Sequence, residues 1–349
     1  MSTTRPLLLL PVIALLALGC HGAIRTENTV RTVGPVETHV KADLPAPVPN
    51  AGPVLPVVVQ AGPGPDRVAI LDVDGLLMNY PFSGLGSVGE NPVALFREKL
   101  DAIAADACAK AVVLRVNSPG GGVAACITMR HDLERFKLHT GKPVIACLLD
   151  TATGGAYYLA SAADRIVVGP ASVTGGIGVV LNLYNFQDLM AQFNVFPQPI
   201  KSGEMVDIGS STRPLKPQEK ELLQTMADEF HGMLIADIRR SRPGIAADMT
   251  LFDGRLFSGS QAVQRRLADY VGDLDAAIQL AAGVGGGSPQ VVLYRRSNDP
   301  ARSPHAVTAN IPIQGAGLLP NVPGLDRSKM PTFLSLWQPE LTMEKLGGK

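Results

Sequence analysis

Apolar residues in this chain fall into short unbroken blocks bounded by glycine, and between the blocks they recur at helical spacing. Ala111-Val112-Val113-Leu114-Arg115-Val116 has the continuous apolar character of a strand buried on both faces. It runs into Asn117-Ser118-Pro119-Gly120-Gly121-Gly122 and then a helical stretch with Ile127, Leu133 and Phe136 on its inner face, closed by His139-Thr140-Gly141-Lys142. The pattern then repeats. Pro143 to Asp150 reads as a second buried strand, and Thr151-Ala152-Thr153-Gly154-Gly155-Ala156-Tyr157-Tyr158 opens a second helix. A third strand, Arg165 to Val168, leads into Val173-Thr174-Gly175-Gly176-Ile177-Gly178-Val179. Glycine runs at these junctions predict turns with unusual dihedrals and bare backbone N–H groups, which is how a helix start holds an oxyanion.

Around this centre the same alternation continues. Val68 to Gly75 reads as a strand ending in a turn, and Asn91-Pro92 starts a helix with Val93, Phe96, Leu100 and Ile103 on one face. Tyr184 to Phe193 reads as helical and Val195 to Ile200 as extended, followed by a polar loop from Lys201 to Ser211. A long amphipathic helix runs from Gln218 to about Arg240, with Leu223, Met226, Phe230, Leu234 and Ile238 in register. Asp253 to Ala262 opens a further helix ahead of Leu267-Ala268-Asp269-Tyr270-Val271-Gly272. Strands alternating with helices predict an α/β fold with a mostly parallel sheet. His131 and His139 lie on a helix away from the glycine turns, where a solvated face accounts for them.

The two ends have a different texture. Arg5, Leu7 to Leu10 and Val12 to Leu18, ending in Gly19-Cys20, form an apolar run too short to span a bilayer and resemble a bacterial lipoprotein signal. The expectation is export to the bacterial cell envelope and membrane anchoring through lipid on Cys20, the alternatives being ordinary cleavage or an uncleaved anchor. Residues 21–66 are rich in proline and read as a tether, with a short strand at Val57-Val58-Val59. The expected body is 67–282. Beyond it, 283–349 reads as a glycine- and proline-rich tail containing a strand-like Val291 to Tyr294. It also carries an apolar Phe333-Leu334-Ser335-Leu336-Trp337, expected to pack on a neighbouring subunit or on the body itself.

Thirty-one basic and 31 acidic side chains leave no net charge, which with only 5% aromatic residues excludes a nucleic-acid-binding surface. Cys108, Cys126 and Cys147 lack metal-ligand spacing and read as small buried hydrophobes, a single disulfide being the alternative, so neither a metal nor another cofactor is expected.

Taken together, Asn117 to Gly121, Gly154-Gly155-Ala156-Tyr157-Tyr158, Thr174 to Val179 and Asp253 to Gly259 resemble the signal peptide peptidase A family, over roughly residues 67–282. These are serine peptidases of the Clp protease/crotonase fold, and the resemblance implies that fold here. It also implies a Ser–Lys dyad, in which a lysine of lowered pKa takes the serine proton. Matched motif by motif, the nucleophile position falls on Gly154, the helper-serine position on Gly176 and the base position on Val206. None of the three can do that chemistry. A turn shortened by one residue would make Thr153 the nucleophile, with Ser118 as another nearby hydroxyl and Lys201 as the nearest base. Gly120, Gly121 and Gly155 remain as oxyanion and peptide-binding positions.

The expectation is therefore a catalytically impaired member that binds extended peptides or serves as a structural subunit. It would assemble as a homo-oligomer or with an active relative, since the family builds sites between neighbouring subunits or repeats. The competing expectation is an active serine- or threonine-type peptidase degrading signal peptides or other membrane-released peptides. Acyl-CoA chemistry on the same fold is the weakest of the three, because an exported protein rarely meets acyl-CoA.

Overall fold

The computed structural model describes residues 25–31, 37–43, 52–81, 83–84, 87–88, 90–245, 248–285, 289–296, 299, 301–306 and 333–337. The leader and Cys20 lie outside the described residues. An antiparallel hairpin, β1 (Arg25–Arg31) and β2 (Glu37–Asp43), stands in what reads as tether. The body then begins with β3 (Leu55–Gln60) and β4 (Arg67–Leu77), a two-residue ladder of β5 (Ser83–Gly84) and β6 (Ser87–Val88), and α1 (Pro92–Ala105). Asn91 caps α1 by accepting from the Val93 and Ala94 N–H groups.

The two strand-helix units follow. They are β7 (Ala109–Gly122) with α2 (Val123–Thr140), then β8 (Val144–Thr153) with α3 (Gly155–Ala160). Next come β9 (Arg165–Val168), β10 (Val173–Gly175), α4 (Gln187–Gln192) and α5 (Pro217–Ser241). A short 3-10 turn at Met249–Phe252 leads to β11 (Leu256–Ser258), α6 (Gly259–Gln264), β12 (Tyr270–Val271) and α7 (Leu274–Gly285). β13 (Gln290–Arg295) and β14 (Leu334–Leu336) complete the described elements.

The sheet runs β11-β10-β8-β7-β4-β13-β3, with β9 and β12 attached beside β8 and β14 beside β7. Its central pairings, β13 to β4 to β7 to β8, are parallel, as the alternating pattern predicts. Helices cover both faces. One core gathers α1, α2 and α3 against Leu71, Val112, Leu114 and Ala146, while the other packs Leu274, Ala277, Ile278 and Ala281 of α7 on Ile70, Val113 and Ile145.

Four expectations are corrected. The sheet takes in β3 and β13, on either side of the expected 67–282 body: the apolar β13 pairs with β4, and β3 pairs with β13 as the sheet's edge strand. Gly120 to Gly122 belong to the ladder at the end of β7 and not to a free turn, although Gly120 takes the unusual φ of 107° that the run predicts. A Cβ on Gly121 would collide with the Leu77 carbonyl, so glycine lets β4 and β7 approach there. Val195 to Ile200 forms no strand, since Val195, Phe196 and Ile200 face solvent without a neighbouring ladder. Helix α4 is also shorter than Tyr184 to Phe193, for Tyr184 and Phe193 at its expected ends are both exposed. Cys126 and Cys147 are buried, which pushes both thiols up to about 12, and Cys108 is partly exposed; all three are free.

Candidate functional site: a strand-to-helix turn and its occupant

The site forms where β7 and β8 part at their carboxyl ends, the position at which open α/β sheets take ligands. The two strands pair as far as Ser118 and Ala152. There β8 turns into α3 at Gly154, which adopts φ 54°, ψ −124° and caps the helix without a side chain. Strained turns between a strand and a helix carry the nucleophile in α/β hydrolases. The Gly154 N–H donates to the Gly175 carbonyl at 2.8 Å, tying the turn to the end of β10.

Helix α3 is held from behind. Tyr157 donates to the Leu267 carbonyl at 2.9 Å and Tyr158 to the Asp237 carboxylate at 2.7 Å. The buried Arg130 guanidinium donates to the Tyr158 carbonyl at 2.6 Å and to Ser161 Oγ at 2.7 Å, and lies 4.7 Å from the Tyr158 ring centre. A fixed turn is what a site needs to present backbone amides in one geometry.

Beyond Ser118 the edge of β7 that β8 has left is taken by β14. Its residues pair antiparallel with the glycines: Leu334 with Gly122, Ser335 with Gly121, Leu336 with Gly120. The Val123 N–H donates to the Phe333 carbonyl at 3.1 Å and the Trp337 N–H to the Pro119 carbonyl at 3.0 Å. On its other edge Leu334 exchanges both backbone hydrogen bonds with Val180, at 2.8 and 2.9 Å. Phe333 meets Phe230 of α5 edge-on, ring centres 5.0 Å apart. Leu334 is buried, which contributes about 2 kcal/mol on ordinary transfer scales. The tail segment thus packs on the body as a strand added to β7 and bridged on its other edge by Val180, one of the two placements the sequence leaves open.

The Ser335 carbonyl is the focal point. A Cβ at Gly154 would lie 2.5 Å from its oxygen, 2.7 Å from its carbon and 2.8 Å from the Leu336 Cα. A Cβ at Gly155 would lie 3.1 Å from the same oxygen, and one at Gly120 would collide with it. The Ser335–Leu336 peptide bond therefore sits against the three glycines, in the space a side chain at 154 would need. Gly176 borders the occupant as well: its missing Cβ would lie 3.4 Å from the Trp337 Cβ and 3.3 Å from the Thr153 Cβ.

The alternative hydroxyls are engaged elsewhere. Thr153 is buried and donates to the Pro119 carbonyl at 3.0 Å. Ser118 donates to the Gly75 carbonyl at 2.6 Å and accepts from the Gly120 N–H at 3.1 Å, which locks the end of β7. Lys201 lies in a surface cluster, its ammonium 2.9 and 3.0 Å from the two Asp207 carboxylate oxygens. Val206 beside it is 70% exposed.

In that cluster Arg213 bridges Asp207 at 2.8 Å and the buried Glu219 at 2.6 Å. Arg213 first and Lys201 second hold the Asp207 carboxyl well below its ordinary range. Arg213, then the Lys216 N–H, lowers Glu219 from 4.5 to about 2. A depressed carboxyl stabilises the fold above its unfolded pKa and loses that contribution as pH falls through the folded one. The 201–219 loop is therefore expected to keep its hydrogen-exchange protection at pH 5 and lose it between pH 4.5 and about 2. Protection unchanged at pH 2 would contradict this.

Sequence reasoning missed the occupant's position and the buried ion pair of Arg115 with Asp72. The signal for the first was the alternation in Phe333 to Trp337; for the second, an arginine inside the apolar block 111–116. Among the described residues no group of histidine, cysteine, aspartate and glutamate could hold a metal, and no helix is long and apolar enough to cross a membrane.

A mostly parallel α/β sheet that forks at β7 and β8, with a strand-to-helix turn facing an extended segment of the chain's own tail, defines the scaffold. Comparison with known proteins gives the family. The model of Peptidase family S49 matches residues 137–284. A Synechocystis protein is 31% identical over 191 residues, covering 54% of this chain and 68% of that one. A Methanocaldococcus jannaschii protein is 34% identical over 197 residues, 56% of this chain and 63% of its own. The chloroplastic serine protease SPPA of Arabidopsis thaliana is 32% identical over 225 residues, 62% of this chain and 32% of its own. The chain belongs to peptidase family S49, the signal peptide peptidase A family, and has its α/β fold with a mostly parallel sheet. It spans 63% of the archaeal relative's length and 32% of the plant relative's.

Proposed function

We propose that this S49 chain is a catalytically impaired, peptide-binding subunit anchored at the bacterial cell envelope through lipid on Cys20. The observation that carries the reading is the site itself. Glycine stands at Gly154 and Gly176, valine at Val206, and the nearest hydroxyls and lysine are committed to other partners. Without a nucleophile and a base, a preorganised oxyanion site supplies only weak residual acceleration. What survives is the edge of β7 that β8 has left, with Val180 facing it, which can hold an extended peptide by main-chain hydrogen bonds, side-chain pockets adding selectivity.

Assembly with a second copy of the chain belongs to the same reading. Tyr184, Phe193, Phe196 and Ile200 form a run of exposed apolar side chains leading toward Val206, which supports a self-association surface there.

The test uses the purified chain, a panel of fluorogenic and fluorescently labelled peptides, and Thr153→Ala and Ser118→Ala variants. The expected result is saturable binding of extended apolar peptides and no turnover above blank. Turnover abolished by either substitution would instead establish an active peptidase built on that hydroxyl.

A further inference from the structure

We infer that Phe333–Trp337 is a tethered ligand of the groove, occupying in cis the slot that a peptide takes in trans, and that a small side chain at the place of Ser335 is what the slot selects. The inference rests on the peptide-binding reading and adds the identity of its first ligand.

Three observations converge. The segment is held from both sides as a strand, by β7 and by Val180, so its binding mode is the one an external extended peptide would use. Its central carbonyl fills the space of the side chain absent at Gly154, and its Trp337 lies against Gly176. Both glycines that replace reactive positions therefore border the occupant. Finally, Ser335 is fully buried and its hydroxyl finds no hydrogen-bond partner among the described residues. The buried position offers the side chain no outlet to solvent, and an unpaired hydroxyl weakens binding, so alanine fits this position better than serine. The class of peptide that competes is apolar and extended, with alanine or glycine at the centre and a leucine on each side.

A preceding anchor keeps the ligand local. The Pro304 and Ala306 carbonyls are gripped by Arg115, and Arg295 also holds Ala306, with 26 residues between Ala306 and Phe333. Tethering of this length supplies an effective concentration of about a millimolar or below. A peptide in trans must outcompete it.

Trp337 is the chain's one tryptophan, so its emission reports whether the segment is seated. The experiment compares full-length wild type with Ser335→Arg, which cannot fit the slot, and Ser335→Ala, which fits it better. The probe is fluorescein-labelled Pro-Thr-Phe-Leu-Ala-Leu-Phe, which contains no tryptophan. Acrylamide quenching of Trp337 is expected to rise in Ser335→Arg and fall in Ser335→Ala. The probe is expected to bind Ser335→Arg at least about tenfold more tightly than wild type, as removal of a tethered competitor requires, and Ser335→Ala less tightly. Thermal melts verify that each variant is folded. Equal quenching in wild type and Ser335→Arg would overturn the inference, even if the probe binds and peptide binding itself stands. Quenching that rises when wild type is diluted would overturn the cis assignment. Trp337 released in Ser335→Arg with no probe bound by either protein would overturn the peptide-binding reading, and with it the competition.

Discussion

Replacing Gly154 by serine is expected to expel the tail segment and still yield no peptidase. The Cβ of a serine there would stand 2.5 Å from the Ser335 oxygen and 2.7 Å from its carbon, so residue and segment cannot share the site. The backbone at φ 54° adds about 1–3 kcal/mol of strain for any non-glycine residue. Release is read as increased quenching of Trp337 together with a lower melting temperature. Chemistry does not follow, because a serine hydroxyl at its ordinary pKa needs a base, and Lys201 is bound to Asp207. Hydrolysis of fluorogenic peptides by Gly154→Ser alone would mean that an unrecognised base reaches the turn, and the impaired reading would fall.

The largest stability effect is expected at Arg115. Its guanidinium is buried in the middle of β7, 2.7 Å from the Asp72 carboxylate through Nε, and it also binds the Pro304 and Ala306 carbonyls. Arg115→Met leaves Asp72, among the described residues, with Arg295 as its ion-pair partner, 3.8 Å away and itself serving Asp299. Removing one partner of a buried pair costs about 3–5 kcal/mol, because the remaining charge keeps its desolvation penalty. For a body of this size that is a fall in Tm of roughly 10 °C. Arg115→Met combined with Asp72→Asn is expected to recover much of the loss, since no bare carboxylate is left. A single-variant Tm within 2 °C of wild type, about the size of 1 kcal/mol, would show that the pair carries little weight.

Much of the architecture was legible because buried parallel strands announce themselves as apolar blocks. Val112, Val113 and Leu114 could hardly be anything else, and Asn91-Pro92 marks a helix start by backbone chemistry alone. The glycine run misled, since Gly120 to Gly122 serve close strand packing within the ladder. Long-range pairing was the other blind spot. Nothing local in Val291 to Tyr294 says that it joins β4, and nothing in Leu334 to Leu336 says that its partners lie more than 200 residues earlier. At the site, side-chain identities at 154, 176 and 206 could be read directly. The proton-donor commitments of Thr153, Ser118 and Lys201 needed coordinates, because hydrogen-bond partners depend on which loops meet.

The seated segment also bears on solubility. Where β8 leaves the sheet, the last three residues of β7 would present unpaired N–H and C=O groups in a flat, glycine-rich edge flanked by apolar surface. Such an edge is a template for pairing with other chains. By covering it, Leu334 to Leu336 act as a built-in guard against aggregation, and a chain cut short before Phe333 would leave that sticky edge open to its neighbours.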